Sequence, residues 1–319
     1  MEGVATGLAS GADAIKEYVR CTLLHQTLDR RITYTIMNSA LEELVKEELL
    51  YLEEDESYEA TRLGQAIVAS AFSPEDGIFI HEELRKALRA FVMDGDMHVL
   101  YIFTPLQVAA TAQIDWLVFR DQLDKLDESG IRAFQLVGVN PGAVNRMCAV
   151  FPPPGISRQL LIIILSVMSG GMLKENTPDR IKQATVYRRA YTAFQLRDLC
   201  DEVPISTIAL RYGTQRGNIQ TLAQQCHGYA AGIIKFCQRM DWGMLAAVLT
   251  HMRDRLEAGA RSELLEMSHV TYVKSWTARL LRENGFRDLK ALAAAEPKDL
   301  VPVLMMVWWT VLVIFGGAF

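Results

Sequence analysis

TQRGNIQTLAQQCHGYAAGIIKFCQRM, running from Thr214 to Met240, is the stretch that decides how this chain folds. Its apolar residues fall at Ile219, Leu222, Cys226, Tyr229, Ile233, Cys237 and Met240, in steps of three and four. That is the period of one face of a long α-helix turned toward a core. The other face carries Arg216, Gln220, Gln224, His227, Lys235, Gln238 and Arg239, and no Asp or Glu occurs from Thr214 to Met240. Solvated helix faces usually mix acids with bases, because Glu–Lys pairs one turn apart stabilise the helix. Amides and cations without acids suit a nucleic-acid backbone, since they supply donors and positive charge without reading sequence. Two positions also have an ordinary reading. His227 can be an incidental surface histidine, and Trp242, just past the helix, can plug a core as well as stack on a base.

Upstream, the first 72 residues read as a winged helix. Ala12 to Leu24 has a helical apolar face, and Met37 to Leu50 repeats it with Leu41, Leu44, Val45 and Leu49. Leu50-Tyr51-Leu52, an acidic turn and Tyr58-Glu59-Ala60-Thr61 form a short hairpin, and Thr61 to Ala66 begins another helix. The second helix presents Glu42, Glu43, Glu47 and Glu48 against a lone Lys46, a face that repels phosphate. This winged helix is therefore expected to pack rather than to read DNA. Beyond it, Ser73-Pro74-Glu75-Asp76 is a helix N-terminus with Ser as cap, Pro in the first turn and acids following. No convincing strand run follows, so the remainder is expected to be all-α.

Length and composition set outer bounds. A chain of 319 residues, half hydrophobic and 22% charged, accommodates two or three soluble domains. The net charge of −5 divides unevenly: −11 over residues 1–150 and +6 over residues 174–290. An anionic partner would meet the second region, although a mere difference between two solvated surfaces gives the same count. The opening residues lack the pattern of a secretory signal, and the five cysteines are scattered without a C-x-x-C pair. Reduced thiols and no metal site are expected. The six histidines are dispersed and no Ser–His–Asp order or paired carboxylate stands out, so no catalytic residue is assigned.

Two segments break the pattern: 149–174, Pro-rich and then aliphatic, and the apolar end at 305–319, which includes Trp308-Trp309. Each apolar run falls short of the roughly 18–20 residues that span a bilayer. A buried core helix and a docked terminal helix, translated non-coding sequence, and a membrane anchor are the three readings, with the anchor ranked last.

The run Leu196-Arg197-Asp198-Leu199-Cys200-Asp201-Glu202-Val203-Pro204-Ile205, followed by Tyr212-Gly213-Thr214-Gln215-Arg216-Gly217-Asn218-Ile219-Gln220-Thr221-Leu222, resembles the ratchet region of HELQ-type helicases and of the helicase half of DNA polymerase theta. Gly3-Val4-Ala5-Thr6 with Tyr18 to Leu24 resembles the junction of motor and winged helix in these Ski2-like superfamily 2 DNA-repair helicases. Ser73-Pro74-Glu75-Asp76 and Phe134-Gln135-Leu136-Val137-Gly138-Val139 match in the same order, and the resemblance covers roughly residues 3–148 and 175–304. It implies a mainly α fold: a winged helix at 1–72 with the motor junction ending in residues 1–12, a helical ratchet domain at 73–268 with an atypical apolar insertion at 149–174, a helix-hairpin-helix-like module at 269–304, and an apolar tail at 305–319. Ala278-Arg279-Leu280-Leu281 and Asn284-Gly285-Phe286 carry the likeness of that small module. Its hairpin lacks a G-x-G, so phosphate binding and plain packing stay equally open there.

The resemblance further implies an ATP-dependent 3′-to-5′ DNA helicase of fork and double-strand-break repair, located in the nucleus. In it the helix from Thr214 would contact the translocating strand through Arg216, Gln220, Gln224, His227, Lys235 and Arg239, with Trp242 beside them. Yet the sequence holds no Gly-Lys dipeptide, no D-E-x-H and no Q-x-x-G-R-x-G-R. A Walker loop needs that lysine to hold phosphates. The expectation is thus a C-terminal, single-strand-DNA-binding region without the ATPase motor, inactive alone and binding no cofactor; ATP and magnesium would sit in motor domains supplied in cis or in trans. Single-stranded or forked DNA is the expected ligand. The alternative is a non-enzymatic winged-helix and helical scaffold for protein assembly.

Overall fold

A computed structural model of the chain describes residues 1–54, 57–92, 95–149, 175–201, 203–258, 267, 270, 271, 273 and 275–305. The expected insertion beyond residue 149 and the apolar tail past residue 305 lie outside the described residues. The fold is mainly helical, as expected. Among the described residues its strands form one two-stranded antiparallel ribbon. The chain resolves into two compact units, Met1–Phe91 with Gly228–Leu249, and Val92–His227 with Thr250–Phe319. These units cut across the sequence segments, because the long helix from Arg216 contributes its first half to one and its second half to the other.

In the first unit, α1 (Glu2–Ala5), α2 (Ala12–Arg20), α3 (Leu23–Thr27) and α4 (Arg30–Lys46) lead into β1 (Leu50–Leu52) and β2 (Tyr58–Ala60). The expected single helix from Ala12 to Leu24 is broken. Thr22 is extended, and its hydroxyl donates back to the Val19 carbonyl at 2.7 Å, offering the backbone an alternative to continued helix. Asp29 caps α4 by accepting from the Arg31 amide. Glu48, at φ 56°, turns the chain out of that helix and into the ribbon, where Leu50 pairs with Ala60. α5 (Arg62–Ala69) follows, with Thr61 as its cap accepting from the Gly64 amide at 3.1 Å. Gly64 is required there: a Cβ would lie 2.2 Å from the Leu49 carbonyl oxygen. α6 (Pro74–Arg89) starts as the sequence indicates, with Ser73 accepting from the Asp76 amide at 3.1 Å. Leu49, Leu50, Ala66, Ile67, Ile80 and Leu84 form the shared core.

In the second unit, α7 (Met97–Phe103) is buried along its whole length. α8 (Leu106–Ala110), α9 (Trp116–Asp124), α10 (Glu128–Val137) and α11 (Pro141–Ala149) follow, and α12 (Pro178–Cys200) packs against α7 and α8. Aromatic rings meet edge to face around α12, as for Phe134 on Phe194 at 5.1 Å and Tyr191 on Tyr212 at 5.5 Å. Arg189 of α12 is 1% exposed, although it carries a charge. Its Nε donates to the Thr104 carbonyl at 3.0 Å, its Nη2 donates to the Ile102 carbonyl at 2.7 Å, and the guanidinium lies 4.8 Å from the Tyr101 ring centre. A cation at the end of α7 meets carbonyls that the helix cannot satisfy and the negative end of its dipole.

α13 (Ile205–Arg211), α14 (Arg216–Arg239) and α15 (Gly243–Ala258) continue the chain. The small C-terminal module consists of α16 (Ser275–Glu283), a turn at Gly285, α17 (Leu289–Ala294) and a helical segment over residues 297–305. Met267, Ala278, Leu281 and Val303 are its core, with Phe286, Leu292 and Leu300 packed around them.

Arg189→Leu removes the donors from two buried carbonyls and is expected to cost about 2–6 kcal/mol, since each unsatisfied buried acceptor costs about 1–3 kcal/mol. The adjacent Arg188 pairs with Glu175 while both side chains remain partly exposed. Arg188→Ala should therefore cost less than about 1 kcal/mol. Urea midpoints of the two variants, side by side, measure the difference.

Candidate nucleic-acid interface

The turn into α14 is held by a buried polar network. Asp198, 3% exposed, accepts from the Tyr212 hydroxyl at 3.0 Å and from Arg211, and Arg197 reaches both Asp198 at 3.2 Å and Gln122 at 2.6 Å. Burial, and next the Asp198 carboxylate, push the Tyr212 phenol far above its ordinary value, so it stays a donor. Gly213, at φ 60°, makes the turn, and the Thr214 amide donates to the Ala209 carbonyl at 2.9 Å. The most distinctive stretch of the sequence, Arg197-Asp198 with Tyr212-Gly213-Thr214, therefore aims the start of α14.

α14 divides as its period indicates. Ile219, Leu222, Cys226, Ala230, Ile233 and Cys237 are buried, in steps of three and four. Burial pushes the Cys226 thiol up to about 11 and the Cys237 thiol to about 12, which leaves both as inert packing groups. Arg216, Gln220 and Gln224 are exposed on the half of the helix in the second unit, as are Lys235 and Arg239 on the half in the first. His227 is half-buried, and its Nδ1 is enclosed without a hydrogen-bond partner among the described residues. The helix ends in a left-handed turn at Asp241 (φ 60°), where the Trp242 amide donates to the Cys237 carbonyl at 2.9 Å and the Asp241 amide to Gln238 at 3.3 Å. Asp241 is also ion-paired with Arg62. Trp242 is half-buried, stacked on His81 at 5.6 Å with 6° between the planes and tilted against Phe236 at 6.0 Å. One face of its ring is thereby covered by protein.

The second unit also holds a feature that sequence reading missed. A cleft of about 480 Å3 is lined by Gln107 and Gln113 around α8, Gln195 of α12, Gln215 in the turn, and Asn218 and Gln225 of α14. No lining residue is ionisable. These residues come from three separated segments, so no single period could assemble them. The nearest signal was the amide-rich flank of α14 itself. Among the described residues, no cluster of His, Cys, Asp and Glu could hold a metal ion, and no helix is long and apolar enough to cross a membrane.

An N-terminal helix-turn-helix and ribbon followed by an all-helical unit define a class that comparison with known proteins specifies further. A helix-turn-helix domain family matches residues 1–51, and a domain of unknown function matches residues 262–312. The family described as the DNA_pol_Q helicase-like region helical domain matches residues 74–256, more than half of the chain, and the chain belongs to that family. It is similar to DNA polymerase theta of Drosophila melanogaster, 29% identical over 319 aligned residues, covering 95% of this chain and 14% of the relative. It is similar also to DNA polymerase theta of Caenorhabditis elegans, at 30% over 96% of the chain and 17% of the relative. The human Helicase POLQ-like protein is 23% identical over 81% of the chain and 22% of the relative. The chain thus spans between a seventh and a quarter of the length of these curated relatives. It is a helical region of a helicase family.

His81 tests the packing of Trp242. Burial, and next the charge of Arg85, lower the His81 pKa below 6.5. The folded state therefore favours the neutral ring. Its contribution to stability is complete above 6.5 and is lost as pH falls through that value toward the lowered one. In an NMR titration His81 should protonate below the ordinary imidazole range. Trp242→Ala, by uncovering the ring, should move the midpoint upward.

Proposed function

We propose that this chain is the single-strand-DNA-gripping region of an ATP-dependent 3′-to-5′ helicase acting in DNA repair in the nucleus. One observation carries the proposal: the exposed side of α14 presents Arg216, Gln220, Gln224, Lys235 and Arg239 with no acid between Thr214 and Met240. Cations and amides in that arrangement hold phosphates and sugars by charge and hydrogen bonds and impose no sequence. A translocating strand needs that kind of contact, because every nucleotide must pass it. Family membership supports the reading, since the relatives are named as a DNA polymerase and as helicases.

The chain's part is grip, not hydrolysis. Its sequence has no Walker lysine, so ATP and magnesium belong to motor domains present in cis or in trans. The winged helix has a separate task. Glu42, Glu43, Glu47 and Glu48 are exposed on α4 and its exit, beside exposed Leu23, Ile32 and Ile36. That acidic and apolar surface suits docking to protein, which is the element of a scaffold role that the reading retains. Trp242 serves as the packed anchor at the end of α14, and His227 as a partly enclosed neighbour of the strand-binding side.

Arg216→Ala combined with Gln220→Ala should weaken binding of single-stranded DNA by the folded chain about tenfold or more. Removal of one phosphate-contacting cation should also lower the slope of log affinity against log salt by roughly one. A salt titration by fluorescence anisotropy measures both. Unchanged affinity and slope in a folded double variant would remove α14 as the grip.

A further inference from the structure

We propose that the amide-lined cleft of the second unit is a pocket for an unstacked nucleobase of a single strand. The inference rests on the strand-gripping reading above and adds a second contact with different chemistry. At about 480 Å3 the cleft has the volume of a ligand site. Its composition is unusual for one, because amides and hydroxyls line it where apolar side chains ordinarily dominate. An apolar ligand would leave those groups dry and unpaired. A phosphate would find no cation on the lining to meet its charge. What remains is a neutral, planar group that carries donors and acceptors side by side, and the edge of a nucleobase is such a group.

Gln195 carries the argument furthest. It is 7% exposed, it lines the cleft, and its side-chain amide has no hydrogen bond among the described residues. The body of the side chain is buried while its amide opens on the cleft, so a donor and an acceptor stand ready there for a ligand. Its neighbour Thr192 differs, because that hydroxyl is already committed to the Arg188 carbonyl at 2.9 Å. Glutamine and asparagine pair in two-point fashion with base edges, as with N6 and N7 of adenine. A peptide backbone could offer the same bonds. The base is favoured because Thr221 and Gln225 adjoin Gln220 and Gln224 on α14, about 100° farther round the helix. A backbone held along Arg216, Gln220 and Gln224 has the cleft beside it, and no acid on that helix repels it.

The test uses the full chain and two oligonucleotides of equal length, one of deoxyadenosines and one of abasic sites, each titrated at two salt concentrations. The wild type should bind the base-bearing strand about tenfold or more tighter than the abasic one. Gln195→Met, near in shape but without the amide, and Gln225→Leu, at an exposed position that folding tolerates, should each cut that ratio severalfold. Neither should change the salt slope, because neither removes a charge. Equal wild-type affinity for both strands with a steep salt slope overturns the base pocket and leaves the backbone grip standing. No binding of either strand at low salt overturns both. A base preference that persists in both folded variants places the contact elsewhere and overturns this assignment. Displacement of the strand by an uncharged peptide, lost in Gln195→Met, would make the cleft a peptide site instead.

Discussion

The guanidinium of Arg189 closes the C-terminal end of α7, donating to two carbonyls and lying over Tyr101. Burying such a group is unfavourable unless its charge and donors are met, and here the helix end supplies both needs. The consequence is register. α12 can sit against α7 only where Arg189 reaches Ile102 and Thr104, and that position sets where the rest of α12 falls. Farther along α12, Arg197 and Asp198 meet Gln122, Arg211 and Tyr212 and hold the turn from which α14 departs. The start of α14 is thus aimed by two sets of polar contacts made by α12, one at Arg189 and one at Arg197 and Asp198.

The distribution of charge differs between the winged helix and α14. The winged helix keeps its acids exposed on the very helix that reads DNA in other proteins of that shape, which suits it to meeting protein. α14 excludes acids over its whole length and surrounds its cations with amides. A helicase that must pass any sequence needs contacts that are strong to a backbone and indifferent to identity. Long side chains with several donors provide them. The cleft beside α14 has no ionisable lining residue, so it complements the cationic stripe with uncharged donors and acceptors.

Much of the architecture was legible because it depends on local signals. The three-and-four spacing from Ile219 to Cys237, the Ser73-Pro74 start of α6 and the ribbon after Leu49 are each written within one continuous stretch of sequence. The break at Thr22 was not legible, since the apolar face of Ala12 to Leu24 runs on while a single hydroxyl diverts the backbone. Arg189 was hidden for a related reason. It stands beside Arg188, a partly exposed arginine paired with Glu175, and only packing against α7 distinguishes the buried arginine from its neighbour. For the candidate site, the exposed stripe on α14 follows from the helical period alone. The covering of Trp242 by His81 and the gathering of Gln107, Gln195 and Gln225 into one cleft require tertiary contacts between distant segments, which periodicity does not encode.

The central claim is where the strand lies: along α14 and not on the winged helix. Photocrosslinking the full chain to a single-stranded oligonucleotide carrying 5-iodouracil, followed by mass-spectrometric mapping, tests it most directly. The account predicts crosslinked peptides between Tyr212 and Met240, with none from Met37 to Ala60. Crosslinks concentrated on the acidic helix and ribbon of the winged helix, with α14 unmarked, would contradict it.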